Sequence, residues 1–155
     1  MKIKIIAVGK ISKKCLLDLS ELYFKKIERY ADIEIIKIKE SKDKNINVNR
    51  HLETNEILSK IINLKEYALF SFDVNGVLVT SQEFAKIIDE NKNFNSGKIC
   101  FIIGGSDGLD NSLNKFLKGK ISFGKITYPH QLFRAIVFEQ IYRSFKIINN
   151  EKYHK

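Results

Sequence analysis

Proline is almost missing from this chain, with Pro129 the only one in 155 residues. Cysteine occurs twice, at Cys15 and Cys100, far apart and without metal-ligand spacing. No disulfide framework is expected, only two reduced thiols, with Cys100 inside a buried strand. The three histidines, His51, His130 and His154, form no HExxH-type pattern, so no structural metal site is expected. Arginine supplies four of the 27 basic residues, and lysine the rest. No apolar run approaches the roughly 18 residues of a membrane span. The opening stretch MKIKIIAVGKISKKC has too short an apolar segment, with lysines on both sides, for a signal peptide. A cytoplasmic chain with no membrane partner is expected, its first strand starting at once.

What is present fits one folded domain over residues 1–155, since 44% of the chain is hydrophobic and no long polar tract interrupts it. The net charge of +9 reads in two ways. Composition bias toward lysine gives a solvated surface and nothing more. The functional reading is an anionic partner, nucleic acid ahead of membrane, because no basic amphipathic helix stands out.

Apolar periodicity alternates between short and long segments. KIKIIAV (2–8), IEIIKI (33–38), YALFSFDV (67–74) and KICFII (98–103) read as strands, and 121–127 as a short strand and loop. Helical spacing covers 14–30, with further helices near 50–63, from Thr80 to about Asp89, near 111–118, and over 129–149. Thr80-Ser81-Gln82-Glu83 is a capping box and Asn75-Gly76 a turn signal. Strands alternating with helices give an α/β domain whose mostly parallel sheet is covered on both faces. In such sheets ligands sit at the carboxyl ends of the strands. Three loops share that edge: 73–76, 104–110 and 122–128.

Several motifs carry a chemical reading beside a plain one. Gly104-Gly105-Ser106-Asp107-Gly108 matches GxSxG between a strand and a helix, the setting of a hydrolase nucleophile. Asp110 and His130 or His154 follow in triad order, although no HGGG-like oxyanion segment exists. The plain reading is a tight turn before a helix. No GxGxxG or P-loop is present, because Gly119-Lys120 is followed by Ile121. The last helix carries Leu132, Phe133, Ile136, Val137, Ile141, Phe145 and Ile148 at helical spacing, and Phe138 and Tyr142 widen the arc. So wide an arc points to a partner surface, most simply a homodimer. Glu139 and Arg143 form an i,i+4 pair. Residues 151–155 read by composition as a frayed end. Pro129 marks a helix start, and Tyr128 before it closes an extended loop.

The stretches IIGGSDGL, ISFGKITYPHQLFR, EQIYRSFKI and the terminal YHK stand in an order and spacing that closely resemble the ribosomal RNA large-subunit methyltransferase H family, over the whole chain and most strongly after Ile99. Gly124 departs from the pattern, which expects a small serine there. The resemblance implies a SPOUT-type fold with a deep carboxyl-terminal trefoil knot, where chain rules alone predict an unknotted doubly wound domain. It implies an S-adenosylmethionine-dependent enzyme that methylates N3 of a pseudouridine in helix 69 of 23S rRNA. A homodimer is also implied, with 23S rRNA, either free or within the assembled ribosome, as its substrate. Its donor-binding positions fall on Phe72, Gly104, Phe123, Gly124, Lys125, Ile126, Thr127 and Tyr128. Its catalytic positions fall on Arg143, Tyr153 and His154, with the tail of one subunit completing the other's site. His154, with an ordinary pKa near neutrality, is the candidate base. The remaining alternative is a ribosome-associated RNA-binding factor with a vestigial pocket.

Overall fold

The computed structural model describes residues 1–153. Its strands are β1 (Lys2–Val8), β2 (Asp32–Ile38), β3 (Ala68–Leu78), β4 (Lys98–Ile103) and β5 (Gly119–Ser122). Its α-helices are α1 (Lys14–Ile27), α2 (Ile46–Ile61), α3 (Ser81–Phe94) and α4 (His130–Ile148). The strands pair in the order β2-β1-β4-β3-β5, every pair parallel. Alternation along the central strands divides the core into two layers. Ile3, Ile5 and Ala7 of β1, with Ile99 and Phe101 of β4, pack against Ile27 of α1, Phe84 and Ile88 of α3, and Val137, Phe138 and Ile141 of α4. Ile6, Val8, Cys100 and Ile102 face the other way, onto Ile57 and Ile61 of α2 and onto Leu113. Burial on both faces explains why these strands read as unbroken apolar runs. Cys100 is fully buried, and desolvation pushes its thiol up to about 12, whereas Cys15 is exposed.

Several boundaries differ from the sequence expectation: α1 ends at Ile27 rather than at 30, and β5 is Gly119–Ser122 rather than 121–127. Helix α2 starts at Ile46 because the Asn45 side chain accepts from the Asn47 N–H. Helix α3 has the expected Thr80–Glu83 capping box but runs on to Phe94. The segment 111–116 is a 3-10 helix capped by Asp110. Asn75-Gly76 does not end β3. The strand bulges there and resumes, so that Phe72 and Val77 both register on Ile121 of β5. Gly76 is required at this crossing, because a Cβ would lie 2.8 Å from the Lys120 carbonyl.

Pro129 precedes the first turn of α4 with φ −53° and ψ 131°, and its carbonyl accepts from the Phe133 N–H. The width of the α4 arc is accounted for inside the chain. Phe138 is buried with Phe24 of α1 edge-on to it, and Tyr142 packs among Tyr23, Tyr30 and Tyr153. These two residues therefore do not argue for a partner. Arg134, 3% exposed, donates from Nη2 to the Val8 and Gly9 carbonyls, which ties the start of α4 to the carboxyl end of β1. Desolvation lowers its pKa.

Candidate active site

The carboxyl ends of β3, β4 and β5 open into a cleft of about 490 Å³, within the usual size of a small-ligand site. All three loops named from the sequence line it. Its apolar wall is a ring cluster: Phe72 lies 5.0 Å from Phe123 and 5.4 Å from Phe133, and Tyr128 stacks on Phe133 at 6.1 Å. The opposite wall is the backbone of residues 104–108, where a Cβ on Gly104 would lie 3.0 Å from Leu109 Cγ. Gly124, at φ +140°, turns the third loop through a conformation that side chains disfavour.

Helix α2 fixes the glycine loop from below. Asn49 Nδ2 donates to Asp107 Oδ2, Arg50 Nε donates to the Asp107 carbonyl, and Thr54 Oγ1 accepts from the Asp110 N–H. Glu53 is buried under the loop, with Oε1 accepting from the Ser41 N–H and Oε2 without a hydrogen-bond partner among the described residues. Burial outweighs the Ser41 bond and raises its pKa, and a Cβ on Gly105 would lie 2.8 Å from Oε2. None of these α2 residues carried a sequence signal, because each acts through a contact more than 50 residues away or through the backbone.

Seven of the eight donor positions implied by the resemblance line this cleft: Phe72, Gly104, Phe123, Gly124, Ile126, Thr127 and Tyr128. Ile126 is 70% exposed at its mouth. Lys125 does not line it; its Nζ donates to the Val74 carbonyl at 3.0 Å.

The hydrolase arrangement is incomplete. Ser106 Oγ and His130 Nδ1 stand 3.3 Å apart in the cleft, but the Asp110 carboxylate accepts from the Ser112 N–H, and that bond lowers its pKa. Among the described residues no hydrogen bond joins Asp110 to His130, and Ser106 lacks the left-handed φ of a strained nucleophile turn.

Arg143 and Tyr153 meet at the other end of α4. The Arg143 guanidinium lies 5.0 Å over the Tyr153 ring, and the Tyr153 hydroxyl sits 3.3 Å from that of Tyr23. Arg143 donates to Glu139 from Nε at 2.9 Å and from Nη2 at 2.6 Å, and the Tyr153 hydroxyl donates to Glu139 Oε1 at 3.1 Å. The preceding tail is also held. Glu151 pairs with Lys146 and accepts from the Tyr30 hydroxyl. The described part of the segment read as frayed is thus bonded to α1 and α4. His154 lies outside the described residues. Thirteen residues separate His130 from Arg143, about 20 Å along a helix axis, so Arg143 and Tyr153 stand well away from the cleft of their own chain.

A family model described as "Predicted SPOUT methyltransferase" matches residues 1–154. The chain is 46% identical over 155 residues to the ribosomal RNA large subunit methyltransferase H of Mycoplasma mycoides, with both chains fully covered. It is 43% identical to that of Caldicellulosiruptor saccharolyticus over 99% of each chain. It is 40% identical to that of Enterococcus faecalis, again over the whole of both.

Proposed function

The chain belongs to the SPOUT methyltransferase family and is an rRNA methyltransferase, and from that premise we propose that it methylates N3 of a pseudouridine in 23S rRNA of the assembled ribosome, with S-adenosylmethionine as donor. The observation that best supports this reading is the convergence of three strand-end loops on one aromatic-walled, glycine-bordered cleft with room for a nucleoside.

The cleft fits that donor. Absence of a Cβ at Gly104 lets its loop close tightly on Leu109 at the cleft wall, and the rings of Phe72 and Phe123 offer apolar faces to a purine. Bound there, S-adenosylmethionine supplies a methyl group on a sulfonium, transferred in line without a metal. Phe72, Gly104 and residues 123–128 hold it, with Lys125 bracing the loop from outside through Val74. The aromatic wall excludes water. On the acceptor side the N3 imide proton must leave, and negative charge spreads onto the flanking carbonyl oxygens. Arg143 is the cation that meets this charge, Tyr153 stands with it, and His154 takes the proton.

Arg143 lies about 15 Å along α4 from Phe133, the last residue of that helix to line the cleft. We therefore assign the working enzyme as a homodimer in which the tail of one subunit reaches the other's cleft, with the knotted carboxyl-terminal segment of the family forming the interface. Calorimetric titration with S-adenosylmethionine tests the cleft. Mass mapping of large-subunit rRNA from cells lacking the protein, before and after treatment with protein and donor, tests the reaction. A missing methyl restored on the pseudouridine is expected. Donor binding with no methyl gained on any rRNA would make the protein a binding factor, and fluorophosphonate labelling of Ser106 would favour the hydrolase.

A further inference from the structure

Glu139 sits at the centre of the Arg143–Tyr153 cluster with both carboxylate oxygens engaged. Oε1 accepts from Arg143 Nε at 2.9 Å, from Arg143 Nη2 at 2.6 Å and from the Tyr153 hydroxyl at 3.1 Å. Oε2 accepts from Gln140 Nε2 at 2.7 Å, and Gln140 Oε1 accepts from Ser81 Oγ at 2.8 Å. The carboxylate is thus braced on one side through Gln140 to the start of α3. On the other side it grips the two side chains assigned to the substrate. A surface i,i+4 pair needs neither the third donor nor the brace.

We infer that Glu139 is a positioning residue for methyl transfer: it locks the Arg143 guanidinium and the Tyr153 phenol into one unit and keeps the phenol protonated, so that Tyr153 does not act as the base. Ionising Tyr153 would set a phenolate 3.1 Å from a carboxylate oxygen. Burial, the bond to Tyr23 and the Glu139 charge all raise the Tyr153 pKa. The other titratable or charged groups at this cluster are Tyr23 and Lys26 of α1 and Tyr142, Arg143 and Lys146 of α4. A fixed guanidinium needs no reorganisation as charge develops on the uracil ring, which is where preorganisation acts.

Glu139→Gln in the full-length enzyme keeps the shape and removes the charge. Turnover on ribosomes should fall about 100-fold, the scale of a misplaced group, while KM for S-adenosylmethionine stays near wild type. Ultraviolet difference titration, with Tyr153→Phe as blank, should show Tyr153 ionising above the ordinary value of about 10 in the wild type and closer to it in Glu139→Gln. Wild-type turnover, or an unmoved Tyr153 titration, overturns the inference. If Glu139→Gln does not fold, Gln140→Met removes only the brace. It should lower turnover about tenfold, one hydrogen bond's worth, and unchanged turnover there overturns the inference too. The inference rests on the proposed reaction. A wild-type protein that methylates no rRNA refutes that reaction, whereas equal methylation by wild type and variant refutes only the role of Glu139.

Discussion

At the start of α4 the molecule offers space bordered by backbone and rings, and at its end it offers side chains bonded to one another. The cleft beside His130 is bordered by loops with glycine at 104, 105, 108 and 124 and by the rings of Phe72, Phe123 and Phe133. The cluster around Arg143 spends nearly every polar atom on a neighbour: Glu139 on Arg143, Gln140 and Tyr153, and Tyr153 on Tyr23. A region that receives a ligand must leave its groups free until the ligand comes. A region that steadies developing charge works best when its groups are fixed beforehand. One helix carries both kinds of construction, one at its start and the other at its end.

Separating the two halves genetically gives the largest expected effect. Removing residues 153–155 should lower turnover about 10²–10⁴-fold, as loss of a proton-transfer or positioning group does. Calorimetry should show donor affinity nearly unchanged. Mixing this truncated chain with a Gly104→Val chain sharpens the comparison, since a heterodimer could pair one intact cleft with the other chain's intact tail. Recovered turnover is expected, and none would place both halves in one subunit.

Gly104→Val alone should reduce S-adenosylmethionine affinity by two orders of magnitude or more while the melting temperature stays near wild type. Its Cβ would lie 3.0 Å from Leu109 Cγ and 3.4 Å from the Gly108 carbonyl carbon, so the loop that forms this wall of the cleft must give. Unchanged affinity would move the donor elsewhere.

Gly76→Ala acts on the scaffold. The added Cβ would meet Lys120 and Ile121 backbone at 2.8–2.9 Å, so the β3–β5 register must shift. Chemical denaturation should show a loss of about 1–3 kcal/mol, the range for overpacking. Ser106→Ala should have the smallest effect, with methylation within about twofold of wild type, as for an exposed substitution. A hydrolase would lose all activity.

The sheet was legible in the sequence because its strands are buried on both faces and read as short apolar runs between helical periods. The three cleft loops followed from the strand-end rule alone. What escaped was everything that depends on a distant partner. Asn75-Gly76 carries a true local turn signal, yet β5 recaptures the strand after the bulge. Residues 151–153 look dispensable until Tyr30, Tyr23 and Glu139 are placed around them. Glu139 and Arg143 were visible as a helix pair, but nothing in their spacing announced Tyr153. Phe138 and Tyr142 pointed outward on paper because α1 could not be placed against them. The site residues themselves came from motif resemblance, since no periodicity distinguishes Thr127 or Tyr128 from ordinary loop.

The Arg134 anchor bears on how this chain is made. Its guanidinium closes on carbonyls 126 and 125 residues earlier, and Gln131 binds Ser12 across 119 residues. Strand β1 also waits for β4 to arrive between it and β3. Contacts of such separation are late and slow to form. Strand β1 has both its strand neighbours once β4 is made, but the carbonyls at its end stay open until α4 has been synthesised. The carboxyl end of β1 is therefore closed by a helix made more than a hundred residues later, and the core on that face is complete only when α4 is in place.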